Sequence, residues 1–240
     1  MHIWTGVLSA IVLAGCTAST IEVDLEPSSE AKVHFEFDEE IVPEEQVIQE
    51  ITLPSKAYID VPFTVQAPDA NWNNPYQEAC EEASVIMVDY FLRGADLTPA
   101  QANREILQLT TWEESNGYKY DVSLEQLAEI VEEYYGYQTR ISDDVTKESI
   151  MHELSKGNPV IVPAAGRDLG NPNFSGQGPW YHMLVITGYN WRHFLTNDPG
   201  TKRGFDYKYK HRVLIDAIHD WTGVKEEIRT GPKRMLIIEK

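Results

Sequence analysis

Two apolar runs separated only by Asn190, Trp191 and Arg192 constrain this 240-residue chain more than any other feature. Tyr181–Tyr189 and His193–Asn197 are dense in β-branched and aromatic residues, as strands are. Strands joined by so short a connection can pair only antiparallel, because a parallel return needs a crossover of a dozen or more residues. More strand signals surround them: 137–141, the buried run 160–164 behind the turn Gly157-Asn158-Pro159, 205–210, and 234–238 near the end. Helical patterns lie mostly ahead of these strands. Helices first and antiparallel strands last predict an α+β domain, N-terminal helices packed on a C-terminal antiparallel sheet.

The helical half is well punctuated. A helix is expected over 77–92, with Ala79, Ala83, Ile86, Met87 and Tyr90 on one face and Gly94 as its stop. Thr98-Pro99-Ala100-Gln101 and Ser123-Leu124-Glu125-Gln126 are capping boxes, the first with proline at the first helical position and the second opening a run closed by Gly136. Shorter helices are expected over 147–156 and 213–221. Residues 165–180, with four glycines and two prolines, form a long loop of the kind that borders a site.

The chain divides into three expected segments. Residues 1–16 carry a short apolar stretch ending in Leu13-Ala14-Gly15-Cys16. It falls short of the about 20 residues a membrane helix needs, and its ending resembles a bacterial lipobox, which makes Cys16 the expected lipid attachment site. Residues 17–56 read as a flexible acidic spacer: residues 21–60 hold twelve acidic side chains against Lys32 and Lys56. Residues 57–240 are the folded domain, opening with an extended segment over 57–66. The expected location is therefore exported, at the extracytoplasmic face of the cell membrane, held by a lipid. The formal net charge of −18 excludes nucleic acid as a partner, since phosphate binding requires clustered cations. No phosphate loop, dinucleotide fingerprint or metal-ligand spacing occurs, so no cofactor or metal is expected.

With Cys16 set aside, Cys80 is the remaining cysteine, and no disulfide partner is left for it. It heads the helix expected over 77–92, where unpaired N–H groups and the helix dipole favour a thiolate. Glu78, Glu81 and Glu82 oppose a second anion, though neighbours one or two along a helix point to other faces. A histidine is the natural base for such a thiol, and His182 begins an apolar strand where a polar residue is otherwise unexplained. A three-residue loop centred on Asn190 puts residue 182 opposite residue 198, which makes Asp198 the orienting acid. A one-residue change in loop length substitutes Asn197 or Pro199. An oxyanion donor completes the set: the Cys80 N–H is one half, and Gln66 and Gln77 compete for the other, with Asn73 and Asn74 behind them.

These residues together carry a resemblance. Val61-Pro62-Phe63-Thr64-Val65-Gln66, then Cys80 heading a helix, then Tyr181-His182-Met183-Leu184-Val185-Ile186-Thr187-Gly188-Tyr189, then Asn197-Asp198-Pro199-Gly200, resemble the family of bacteriocin-processing cysteine peptidases that cut after double-glycine leaders. The resemblance covers the domain from about residue 60 to 238. It implies a papain-like fold and a peptide or protein substrate. It also implies Cys80 as nucleophile, His182 as base, Asp198 as orienter and Gln66 as oxyanion donor. The chain departs from the family in the length of its 66–80 loop, and in Glu81, where many members carry glycine. The expected function is hydrolysis of peptide bonds through an acyl-enzyme. Alternatives from other classes are a catalytically silent peptide-binding surface module of the same fold, and a peptidoglycan amidase or transpeptidase. Trp180, beside His182, is a candidate cleft wall; Trp72, Trp112 and Trp191 read as structural.

Overall fold

The structure is a computed structural model that describes residues 52–239. The lipobox-like stretch expected to be a signal, with Cys16, and residues 17–51 of the expected spacer lie outside the described residues. A six-strand path runs β2 (Gln138–Ser142), β7 (Met235–Glu239), β3 (Val160–Ala165), β4 (Tyr181–Tyr189), β5 (His193–Asn197), β6 (Tyr207–Lys210). All pairs along it are antiparallel. A two-residue strand, β1 (Ala57–Tyr58), takes the end of β4 that β3 leaves uncovered. Gly188 permits that approach, because a Cβ there would lie 2.5 Å from the Ala57 carbonyl oxygen. The remainder of the segment expected to be extended, 59–66, lies beyond β1. It is tied down by bonds such as Ile59 N–H to the Thr187 carbonyl and Gln66 N–H to the Pro199 carbonyl.

Strand β4 is buried along all nine residues, which explains its unbroken apolar run where a half-exposed strand would alternate. Truncating Leu184 or Ile186 to alanine in such a place costs about 2–5 kcal/mol. Helix α1 (Cys80–Arg93) packs against β4 on one side and against α2 (Pro99–Ser115) on the other. It is accordingly buried from Cys80 to Tyr90 on every face, not only on the expected Ala79–Ala83–Ile86–Met87–Tyr90 stripe. Gly94 ends it in the left-handed conformation at φ 63°.

Both expected capping boxes form, at the starts of α2 and α3 (Leu124–Ile130), and Thr146 with Ser149 makes a third ahead of α4 (Lys147–Ser155). Helix α3 runs into a π-helical turn, Val131–Tyr135, before Gly136 closes it. The expected 213–221 helix is shorter and earlier: α5 spans His211–Ala217. Asp220, beyond that helix, accepts the Leu124 N–H and the Trp221 N–H, so its carboxylate caps α3 from across the chain. None of the described helices is long and apolar enough to cross a membrane.

Candidate active site

The start of α1, the start of β4 and the turn after β5 meet at one cleft of about 620 Å³. Gln66, Gln77, Cys80, His182 and Gly200 all line it. Its walls are largely aromatic: Trp72, Tyr120, Phe174, Trp180 and Trp221. Arg167 stacks on Trp180 with its guanidinium carbon 3.5 Å from the ring centroid, which fixes that indole from outside the cleft. The long 165–180 loop does border the site, supplying Phe174 and Trp180. Trp72, expected to be structural, lines the cleft too.

Cys80 is the first residue of α1. Its N-cap, Ala79, offers no side-chain acceptor, so the Cys80 N–H at the head of the helix has no capping side chain. Only 5% of the residue is exposed. Burial pushes the thiol well above its ordinary range, and the negative charges of Glu81, Glu82 and Asp121 and a hydrogen bond to Glu81 push the same way. The expectation that Glu81 points to another face fails. Cys80 Sγ lies 3.0 Å from Glu81 Oε2, and Glu81 is fully buried. The helix is enclosed on all sides, so a side chain one residue along has no solvent to turn towards. It folds back over the sulfur.

His182 and Asp198 are joined, but not by the expected register. The β4–β5 ladder pairs Tyr189 with Phe194 and Val185 with Asn197, and it shifts by one residue between Ile186 and Gly188. Four residues, not three, lie between the closing partners Tyr189 and Phe194, and the irregularity at Thr187 takes back only one residue of the resulting offset. Residue 182 therefore does not face residue 198. The ladder ends at Asn197, and the next residues turn back. The Asp198 N–H bonds the Gly204 carbonyl, and the Gly200 N–H bonds Asp198 Oδ1. This turn aims the carboxylate at the imidazole, with His182 Nε2 2.8 Å from Asp198 Oδ1. Nδ1 is then the ring nitrogen left for other work. Asn197, the runner-up, is committed elsewhere: its amide donates to the Val61 carbonyl and anchors the entering chain.

The carboxylate is held by more than the imidazole. Asp198 Oδ2 accepts from Tyr209 Oη at 2.6 Å and from Asn171 Nδ2 at 3.1 Å. Burial alone would raise the Asp198 carboxyl. The adjacent imidazole, with hydrogen bonds from His182, Tyr209 and the Gly200 N–H, outweighs it and keeps the group below its ordinary value. An ionised Asp198 accepts, so Nε2 carries the proton that it receives. Phe174 packs edge-on against the imidazole at 5.2 Å, and a Cβ on Gly200 would come within 2.9 Å of His182 Cε1. Tyr209, Asn171, Phe174 and Gly200 thus fix the histidine. Alternation in Tyr207-Lys208-Tyr209-Lys210 puts the two tyrosines on one face, yet nothing local says that Tyr209 reaches across β5 to Asp198.

Gln66 Nε2 donates to the carbonyls of Tyr76 (3.0 Å) and Gln77 (2.8 Å), which pins the loop just ahead of Cys80. Gln77 is exposed, and its amide donates to Glu78 Oε1 at 2.7 Å. Behind the sulfur lies a group of buried acids. The Glu82 and Glu113 carboxyls interact closely, and Glu82 Oε2 and Glu113 Oε1 have no hydrogen-bond donor among the described residues. Burial raises both, and their mutual repulsion adds to the rise at Glu113. Asp121, on the cleft wall, is raised to about 6 by burial and by Glu78. Among the described residues no three metal-ligating side chains are grouped to hold an ion.

A helix-heading cysteine and a histidine–aspartate pair across one cleft, on helices packed against an antiparallel sheet, are the features of the papain-like class of cysteine peptidase folds. Residues 58–226 match the model of the Peptidase_C39-like family, which spans most of the chain, and the chain belongs to that family. A crystal structure from Bacillus anthracis described as a C39-like peptidase is similar to this chain with a TM-score of 0.52. That similarity extends over 78% of this chain and 98% of the other at 14% identity, and at that identity it bears on the fold alone. A search of curated proteins returns no match.

Proposed function

We propose that the domain hydrolyses peptide bonds, with Cys80 as nucleophile, His182 as base and Asp198 as orienter. The observation that carries this reading is the buried His182–Asp198 pair, anchored by Tyr209 and Asn171, opening onto the cleft that Cys80 also lines. In the reaction, the Cys80 proton passes to His182 Nδ1, and the thiolate adds to the scissile carbonyl. The oxyanion takes the Cys80 N–H together with a Gln66 N–H that turns from the Gln77 carbonyl. His182 returns its proton to the leaving amine as the C–N bond breaks. Water, deprotonated by His182, then splits the thioester and frees Cys80. Family membership supports a peptide or protein substrate. We place the protein outside the cytoplasm, anchored through a lipid on Cys16, a reading that rests on the Leu13–Cys16 string. Loss of fatty-acid labelling in Cys16→Ser tests it.

Iodoacetamide labelling at mildly acidic pH tests the nucleophile: fast labelling, lost in Cys80→Ala and slowed in His182→Ala, is the expected result. Labelling no faster than that of a model thiol removes the proposal. One observation favours a second reading, a silent peptide-binding module: the thiol is buried and bonded to a carboxyl. Under that reading Cys80→Ala binds peptides as well as the wild type does, and no turnover occurs in either.

A further inference from the structure

Among the described residues, Glu81 makes the side-chain hydrogen bond to the Cys80 sulfur. Its Oε2 lies 3.0 Å from Cys80 Sγ, and its Oε1 is positioned by the Val122 N–H at 3.4 Å. Both contacts are buried, so the carboxyl is not a surface charge that happens to lie near a thiol.

We propose that Glu81 acts on the nucleophile as a neutral acid, donating its O–H to the Cys80 thiolate in the reactive form and capturing the thiol proton when ionised. This inference rests on the reading of Cys80 as nucleophile. The two forms differ by one proton. In the reactive form Glu81 is protonated, the cysteine proton sits on His182 Nδ1, and sulfur is an anion that accepts a hydrogen bond from Oε2–H. When the Glu81 proton is lost to solvent, the Nδ1 proton returns to sulfur. The neutral thiol then donates to the carboxylate, the arrangement in which the pair is inert.

The surroundings favour the neutral acid. Burial raises Glu81 well above the ordinary carboxyl range, with Glu82 on the same helix and Asp121 from the loop before α3 adding to it, and the Cys80 bond alone among its side-chain partners opposing it. The further charged or titratable groups that act on it are Glu113 on α2 and Tyr181 on β4, with His182 across the cleft that Cys80 lines. No lysine or arginine forms an ion pair with Glu81, Glu82 or Glu113 among the described residues. A carboxylate there has the thiol, its own backbone N–H and one long contact from the Val122 N–H to hold it, with no cation. Placing a second anion on sulfur beside it is costlier still.

A free thiol gains reactivity as pH rises; this pair loses it. The experiment is the alkylation rate of Cys80 by iodoacetamide from about pH 5 to about pH 9 in wild type, Glu81→Gln and Glu81→Leu. The wild-type rate is expected to peak and then to fall about tenfold on the alkaline side. Glu81→Gln, whose amide can donate but never ionise, keeps its rate through that range. Glu81→Leu, which fills the space without a donor, starts about tenfold lower on the acid side and shows no alkaline fall. Thermal melts confirm that each variant is folded. A wild-type rate that rises steadily with pH and superimposes on Glu81→Gln overturns the inference while leaving Cys80 as nucleophile. Slow labelling at every pH, unchanged in His182→Ala, overturns the nucleophile reading itself.

Discussion

Replacing Glu82 by glutamine probes the buried acid pair directly, because the Glu82 and Glu113 carboxyls interact out of water, where two carboxylates repel and neither can donate to the other. At least one proton must stay in the folded pair. Burial raises Glu82 from an ordinary 4.5 to about 7. A folded-state carboxyl raised in this way stabilises the fold fully below about pH 4.5 and loses that contribution as pH climbs through about 7. The interval corresponds to about 3 kcal/mol lost between acid and neutral conditions. Glutamine donates to Glu113 without needing a proton, so the variant does not suffer this loss. Urea unfolding is the assay. With a slope of about 2 kcal/mol per molar, Glu82→Gln is expected to shift the midpoint up by about 1.5 M at about pH 8, and by little at about pH 5. The difference between wild type and variant cancels the general repulsion of a chain with net charge −18. Coincident wild-type and variant midpoints at both pH values would refute the shared-proton argument.

Two further outcomes follow from the histidine's supports. Tyr209→Phe removes the 2.6 Å donor to Asp198 and is expected to cost about 2 kcal/mol of stability, with a fall in kcat about tenfold and KM little changed; unchanged kcat would show that Asn171 and Gly200 suffice. Gly200→Ala keeps the N–H to Asp198 but brings a methyl within 2.9 Å of His182 Cε1 and of Phe174, so kcat should drop at least about tenfold while the melting temperature moves only a few degrees. Equal kcat in wild type and variant would show that the imidazole is free to shift.

The sites of helix starts were written locally. The Thr98 and Ser123 boxes depend on side chains bonding their own neighbours, so a four-residue string is enough to read them. The β4–β5 hairpin was legible for the same reason, and its strand ends fall where the residue pattern placed them. Its register was not. The pairing of 182 with 198 assumed a loop centred on Asn190, whereas the strands close at Tyr189 and Phe194; a bulge near Thr187, which leaves no compositional mark, then returns one residue of that offset. The two side chains still meet, through the turn at 198–200 and through donors that arrive from 171 and 209.

What the sequence by itself determined is the α+β order of elements and the helix heads and stops, which follow from residue type and short-range spacing because the interacting atoms are close along the chain. It also offered a set of candidates, Cys80, His182, Asp198 or Asn197, and Gln66 or Gln77, among which the family resemblance favoured Asp198 and Gln66. The tertiary structure alone decided which acid the histidine bonds, that Gln66 pins the Tyr76 and Gln77 carbonyls, and that Glu81 turns onto the sulfur. Those outcomes depend on enclosure. Helix α1 lies between the sheet and α2, leaving Glu81 and Glu82 no water to reach, and only the packing of distant segments creates that condition.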